Sequence, residues 1–118
     1  MTYEGSCHCG RVAIELETDA PIDTAMGCNC SLCRRRGSLL AFFPREQLKL
    51  TTPEQDMATY TFNRHAIQHR FCPNCGIGVF GEAVDPRSGK PTAAVNVRCL
   101  PEVDLEALKI TMFDGAAL

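Results

Sequence analysis

Seven of the eight cysteines fall into three short clusters: Cys7-His8-Cys9, Cys28-Asn29-Cys30-Ser31-Leu32-Cys33, and Cys72-Pro73-Asn74-Cys75-Gly76. Thiolates one or two positions apart can reach the same tetrahedral ion, and Zn²⁺ is the ordinary ion for such a donor set. A chain with this pattern must fold so that distant stretches meet at metal-sized points. Seven ligands divide into four plus three. Four thiolates close a structural site, whereas three leave a coordination position open for exchange or chemistry.

The 118 residues suit one domain spanning the whole chain, 1–118. At that size about two-thirds of the unfolded chain's surface is buried. Structural zinc contributes on the order of 10–16 kcal/mol of apparent binding free energy at neutral pH. The net stability of a domain is only about 5–15 kcal/mol. Metal and fold are therefore expected to be linked, and a chelator is expected to unfold the protein.

The formal net charge is −2 and no long basic stretch occurs, so nucleic acid is not an expected partner. No apolar run reaches the length of a membrane span. The segment Met1–Ser6 lacks the basic and apolar parts of a signal peptide, so a cytoplasmic, reducing location is expected. A reducing compartment favours metal over disulfides. The rival reading, a disulfide scaffold, needs an even cysteine count, which is necessary but not diagnostic.

The hydrophobic pattern is that of strands. Val12, Ile14 and Leu16 alternate with Ala13, Glu15 and Glu17. Further strands are expected at Leu39–Phe43, Met57–Phe62, Ile67–Phe71, Ile77–Ala83, Thr92–Val97 and Leu108–Phe113. Turn chemistry separates them at Asp19-Ala20-Pro21, Thr52-Pro53-Glu54 and Asp85–Pro91. Short helical turns are expected at Ser31–Arg36 and Pro101–Leu105. The fold class that follows is all-β.

Cys72-Pro73-Asn74-Cys75-Gly76 reads as a zinc knuckle: Pro73 presets φ for the turn and Gly76 accepts a positive φ. A thioredoxin-like pair would need a βαβ context that the pattern lacks. In extended backbone Cys7 and Cys9 would point to one face and His8 away. Pairing them with the last cluster closes a loop of roughly 60 residues, at a cost that grows only logarithmically with length. Spacing alone also permits Cys7 and Cys9 to join Cys30 and Cys33. Three thiolates on Zn²⁺ carry a formal charge of −1. Arg34, Arg35 and Arg36 follow directly, as a cationic rim for a carboxylate-bearing ligand or as the solvated face of a short helix. Cys99 is isolated and reads as a small buried hydrophobe, with closure of the second site as its alternative. His65 and His69, expected on one strand face, are the spare candidates for a general base or a fourth ligand.

Gly5-Ser6-Cys7-His8-Cys9-Gly10, Cys28-Asn29-Cys30-Ser31-Leu32-Cys33-Arg34-Arg35, Phe71-Cys72-Pro73-Asn74-Cys75-Gly76 and Val95-Asn96-Val97-Arg98-Cys99-Leu100 resemble the glutathione-dependent formaldehyde-activating enzyme family, which also includes centromere protein V. The resemblance implies a zinc-pinned β-tent similar to that of the Mss4-like proteins, with short helical turns. It implies that Cys7, Cys9, Cys72 and Cys75 hold a structural zinc. It implies that Cys28, Cys30 and Cys33 hold a second, catalytic zinc whose fourth position is open. Arg34 and Arg35 would meet the carboxylates of the bound thiol. The implied activity is that of a carbon–sulfur lyase acting on an adduct of glutathione or another small thiol, of the S-hydroxymethylglutathione type. Asn29 stands where many members of that family carry His. Two other functions compete: a non-catalytic interaction module in which both zincs are structural, and a thiol-based redox or metal sensor.

Overall fold

The computed structural model describes residues 1–117. Its strands are β1 (Thr2–Ser6), β2 (Ala13–Glu17), β3 (Thr24–Cys28), β4 (Leu40–Pro44), β5 (Leu48–Leu50), β6 (Ala58–Tyr60), β7 (Gln68–Phe71), β8 (Gly78–Val84), β9 (Pro91–Asn96) and β10 (Lys109–Phe113). They form two sheets, β1-β2-β5 and β10-β3-β4-β9-β8-β7-β6. The one α-helix among the described residues, α1 (Cys33–Arg36), is a single turn. The chain is thus mostly β, as its pattern predicts, in two sheets with no barrel closure.

Alternation along the strands sorts side chains onto the two faces of the larger sheet. Ala25, Ala41, Phe43, Ala93 and Val95 join Tyr3, Val12, Ile14, Leu16 and Leu48 of the smaller sheet region in one apolar core. Met26, Cys28, Leu40, Phe42, Ala94 and Asn96 point the other way and line a cavity. The register makes this consistent, since Met26 pairs with Leu40, Leu40 with Asn96, and Phe42 with Ala94. Directly opposed residues in antiparallel strands share a face. No helix among the described residues is long and apolar enough to cross a membrane.

Several expectations shift. The run at Met57–Phe62 forms only the three-residue β6, after which the chain leaves the sheet. His65 therefore lies in a loop with φ 57°, not on a strand face with His69. The helical turn expected at Pro101–Leu105 falls later, as a 3-10 turn over Leu105–Ala107 capped by the Asp104 side chain. Cys7 and Cys9 are not in extended backbone: Gly10 N–H donates to Cys7 O at 3.2 Å, closing a turn. Strands β1, β3 and β5 carry too little apolar alternation to announce themselves. β3, Thr24-Ala25-Met26-Gly27-Cys28, is flanked by β4 and by β10, which runs parallel to it.

Candidate metal centres and their cavity

The first group of thiols joins the two sheets. Cys7 and Cys9 follow β1, and Cys72 and Cys75 occupy the β7–β8 connection. Their sulfurs all lie within 4.8 Å of one another. Cys7 Sγ is 3.7 Å from Cys9 Sγ, and Cys9 Sγ is 3.6 Å from Cys72 Sγ. The knuckle forms as its residues dictate: Gly76 has φ 82° and its N–H donates to Cys72 O at 2.9 Å. Backbone N–H groups of Asn74 and Cys75 each point at Cys72 Sγ, both at 3.3 Å. The Val12 N–H donates to Cys7 Sγ at 3.3 Å. N–H groups aimed at sulfur favour the thiolate. Those of Cys9 and Ile77 hold the Cys75 thiol down to about 6. The Asn74 side chain and the Arg11 N–H lower Cys9, whereas burial raises Cys7.

The second group is local. Cys28 ends β3, Cys30 lies in the following loop and Cys33 opens α1, with all three sulfurs within 4.8 Å of one another. Cys30 N–H donates to Cys28 Sγ at 3.4 Å and Cys33 N–H to Cys30 Sγ at 3.3 Å. Burial and the neighbouring Cys30 and Cys28 thiols push Cys33 up to about 12. Burial works against ionisation of Cys30 too, but the Cys33 N–H and thiol outweigh it and hold Cys30 below the ordinary thiol value. Both groups thus crowd sulfurs that repel when ionised and that a thiophilic dication would bring together. The donor sets fit metal ions.

The remaining candidates are placed elsewhere. Cys99 belongs to neither group: its thiol is buried, points at Gly78 O 3.8 Å away, and is pushed up to about 11 by burial and by Cys7 and Cys75. His65 is exposed and bonds Thr61 Oγ1 through Nδ1 at 2.7 Å. His69 faces the cavity beside Phe62, ring centroids 5.5 Å apart, and burial followed by the Arg36 charge lowers its pKa.

The cavity holds about 560 Å³, and Cys28, Cys30 and Cys33 are on its wall. Of the three consecutive arginines, Arg36 lines it, whereas Arg34 and Arg35 do not. The Arg35 guanidinium donates to Ser31 O at 2.7 Å and caps its own turn. Arg36 lies over the Phe71 ring, 5.6 Å from its centroid. Its Nη1 occupies space that Gly78 leaves free, since a Cβ there would approach it to 2.7 Å. Arg98 Nε donates to Gly37 O at 3.0 Å and fixes the end of α1, where Gly37 has φ 70°.

Asn29 closes the cluster from outside. Its Nδ2 donates to Asp114 Oδ1 at 2.9 Å and its Oδ1 accepts from Ala116 N–H at 2.9 Å. That clamp lays Gly115 against the thiols, so closely that a Cβ would come within 2.5 Å of Cys28 Sγ. Sequence reasoning missed this contact and the aromatic wall of Phe42, Phe62 and Phe113. The side-chain partners of Asn29 lie 85 or more residues away, so no local spacing signals them.

A protein from Rhodobacter sphaeroides of known crystal structure is similar in fold and sequence, with a TM-score of 0.75 and 31% identity, over 94% of this chain and 100% of that one. The model of the family described as glutathione-dependent formaldehyde-activating enzyme matches residues 2–113. That match takes in both thiol groups and every strand that carries them, so the chain belongs to the glutathione-dependent formaldehyde-activating enzyme family.

Proposed function

We propose that residues 1–118 act as one zinc-dependent domain that makes or breaks the carbon–sulfur bond of a small-thiol adduct, glutathione being the thiol of the family's name. One observation supports this reading above the others: the three-thiol group opens onto a cavity, whereas the four-thiol group closes upon itself between the sheets. In this reading Cys7, Cys9, Cys72 and Cys75 hold a structural ion, and Cys28, Cys30 and Cys33 hold a second one. When bound there, zinc supplies a coordination position that lowers a thiol's pKa.

The reaction balances without an oxidant. A thiol loses its proton, its sulfur bonds to the carbonyl carbon of formaldehyde, the C=O π bond breaks, and the oxygen takes up a proton. Cleavage runs the same steps in reverse. His69 is the imidazole on the cavity wall, and its lowered pKa leaves it neutral at physiological pH, able to accept the thiol proton. Arg36 offers a guanidinium to a carboxylate of the thiol's body. Arg34 and Arg35, next along α1, contribute positive charge at longer range. Phe62 stacks on His69 and fixes the ring.

Native mass spectrometry with and without glutathione tests the reading. Two zinc ions per chain, with a glutathione adduct that disappears in Cys30→Ser, is the expected result, and formaldehyde turnover should disappear in the same variant. Two zinc ions with no thiol adduct, by glutathione or any other small thiol, would count against it.

A further inference from the structure

We propose that the cavity beside Cys28, Cys30 and Cys33 selects a small thiol with an apolar body and a single carboxylate, and that Arg36 reads the carboxylate. The inference rests on the preceding reading of that cluster as a thiol-accepting centre and specifies its substrate class.

The volume, about 560 Å³, is that of a small-molecule site. Most of the wall is apolar, with Leu32, Leu40, Phe42, Phe62, Ile67 and Phe113 facing in. Phe42, Ile67 and Phe113 are 50%, 46% and 43% exposed, so the apolar surface continues to the mouth. Contiguous exposed apolar surface around a concave site marks ligand contact.

The polar inventory is short and one-sided. Apart from the thiol cluster, the charged side chains on the wall are Arg36 and Arg64, and no Asp or Glu among the described residues lines it. Neither arginine has a carboxylate partner among the described residues, whose ion pairs are Arg45–Glu82 and Arg70–Glu82. Asn96 is already committed, donating to Gly78 O at 2.9 Å and accepting from Arg98 N–H at 3.2 Å. Ser31, Ser38, Asn63 and the His69 imidazole complete the neutral polar set. A glutathione-like tripeptide brings an ammonium, two carboxylates and two amides. Its ammonium would find no carboxylate here, only the thiol cluster that the ligand's own sulfur is to occupy, and each buried polar group left unpaired costs about 1–3 kcal/mol.

Arg36 is the better placed of the two cations. It follows Cys33 by three positions on α1, and i, i+3 residues share a helix face. Thiol and guanidinium therefore present to the same ligand. Phe71 and the bare Gly78 hold the guanidinium in place before any ligand arrives. Arg64 sits between Asn63 and His65, both at positive φ in the β6–β7 loop.

The test is calorimetric titration of the zinc-loaded full chain, wild type and Arg36→Gln, with metal content checked by native mass spectrometry. Four probes suffice: 3-phenyl-2-sulfanylpropanoate, 2-phenylethanethiol, glutathione, and thiol-free 3-phenylpropanoate. The sulfanylpropanoate should bind at least about tenfold tighter than glutathione. Arg36→Gln should weaken it by about tenfold while leaving 2-phenylethanethiol within about twofold. Glutathione binding as tightly or tighter overturns the substrate class and leaves the cluster a thiol site. Equal weakening of both aryl thiols in Arg36→Gln overturns the assignment of the carboxylate to Arg36. If no thiol binds better than 3-phenylpropanoate, the thiol-accepting reading itself fails, and the proposal with it.

Discussion

Asn29 shows how one side chain between two cysteines can control what surrounds them. Its amide spends both ends on the segment after β10, donating to Asp114 and accepting from Ala116. Each such bond contributes about 1 kcal/mol. Asn29→Ala should release that segment from the thiols while leaving the three sulfurs in place. The expected outcome is faster amide hydrogen exchange at Ala116 and faster alkylation of Cys28 in the metal-free protein, with unchanged metal content when loaded. The clustered cysteines themselves were legible from spacing, because thiols able to share an ion must sit close in sequence or be carried there by strands. The cation was legible only as a group of three. Sequence proximity ranks Arg34 and Arg35 first, but helix geometry turns Arg36 into the cavity.

Among the elements, β1 and β8 carry the sharpest constraints. Gly5 in β1 runs so close to the turn at Val97–Cys99 that a Cβ would stand 2.5 Å from Cys99 O and 2.6 Å from Leu100 Cδ2. One contact is backbone and cannot swing aside. Gly5→Ala should cost about 1–3 kcal/mol by overpacking, measured as a lower urea midpoint at unchanged slope. On β8, Glu82 accepts from Arg70 Nη2 and Arg45 Nε, each at 2.7 Å. Burial alone would raise its pKa, but the two guanidinium groups outweigh burial and hold it below the ordinary carboxylate value. A depressed folded pKa stabilises the fold fully above the unfolded value, near 4.3 for Glu. That stability is lost as pH falls through the folded value. Glu82→Gln should therefore cost about 2 kcal/mol at neutral pH, and its gap from wild type should shrink below about pH 4. Denaturant titrations of both proteins across that range check the sign. The alternation of β2 and β7 was plain in the sequence, and the apolar runs of β8 and β9 marked them as strands. The pattern of β3 was not plain, since half its neighbours come from β10, more than 80 positions later, in a parallel pairing no turn announces.

For the molecule as a whole the two thiol groups have different consequences. The first ties β1 of the small sheet to the β7–β8 connection of the large one. The second lies within one stretch, Cys28 to Cys33. Cys72→Ser should therefore unfold the chain or strip most of its stability, because structural zinc contributes more than a domain's usual margin. Cys33→Ser should keep the β circular-dichroism spectrum and lose one metal ion. Chelation of the wild type should reproduce the Cys72→Ser outcome, and midpoints that agree between the two variants would contradict this division.

The order and spacing of the cysteines, by themselves, announced clusters able to hold metal and carried the family resemblance, while the hydrophobic alternation predicted a mostly β chain. Ligand spacing is a local property, and a repeating alternation is enough to declare a strand. The tertiary structure brings Cys7 and Cys9 to Cys72 and Cys75, the grouping that spacing left open and the family resemblance implied, since residues 7 and 72 meet only when two sheets close. It also decided which arginine reaches the cavity and what lines its walls. Those properties depend on which side chains face each other across the pleat, and that is set by register between strands far apart in the chain.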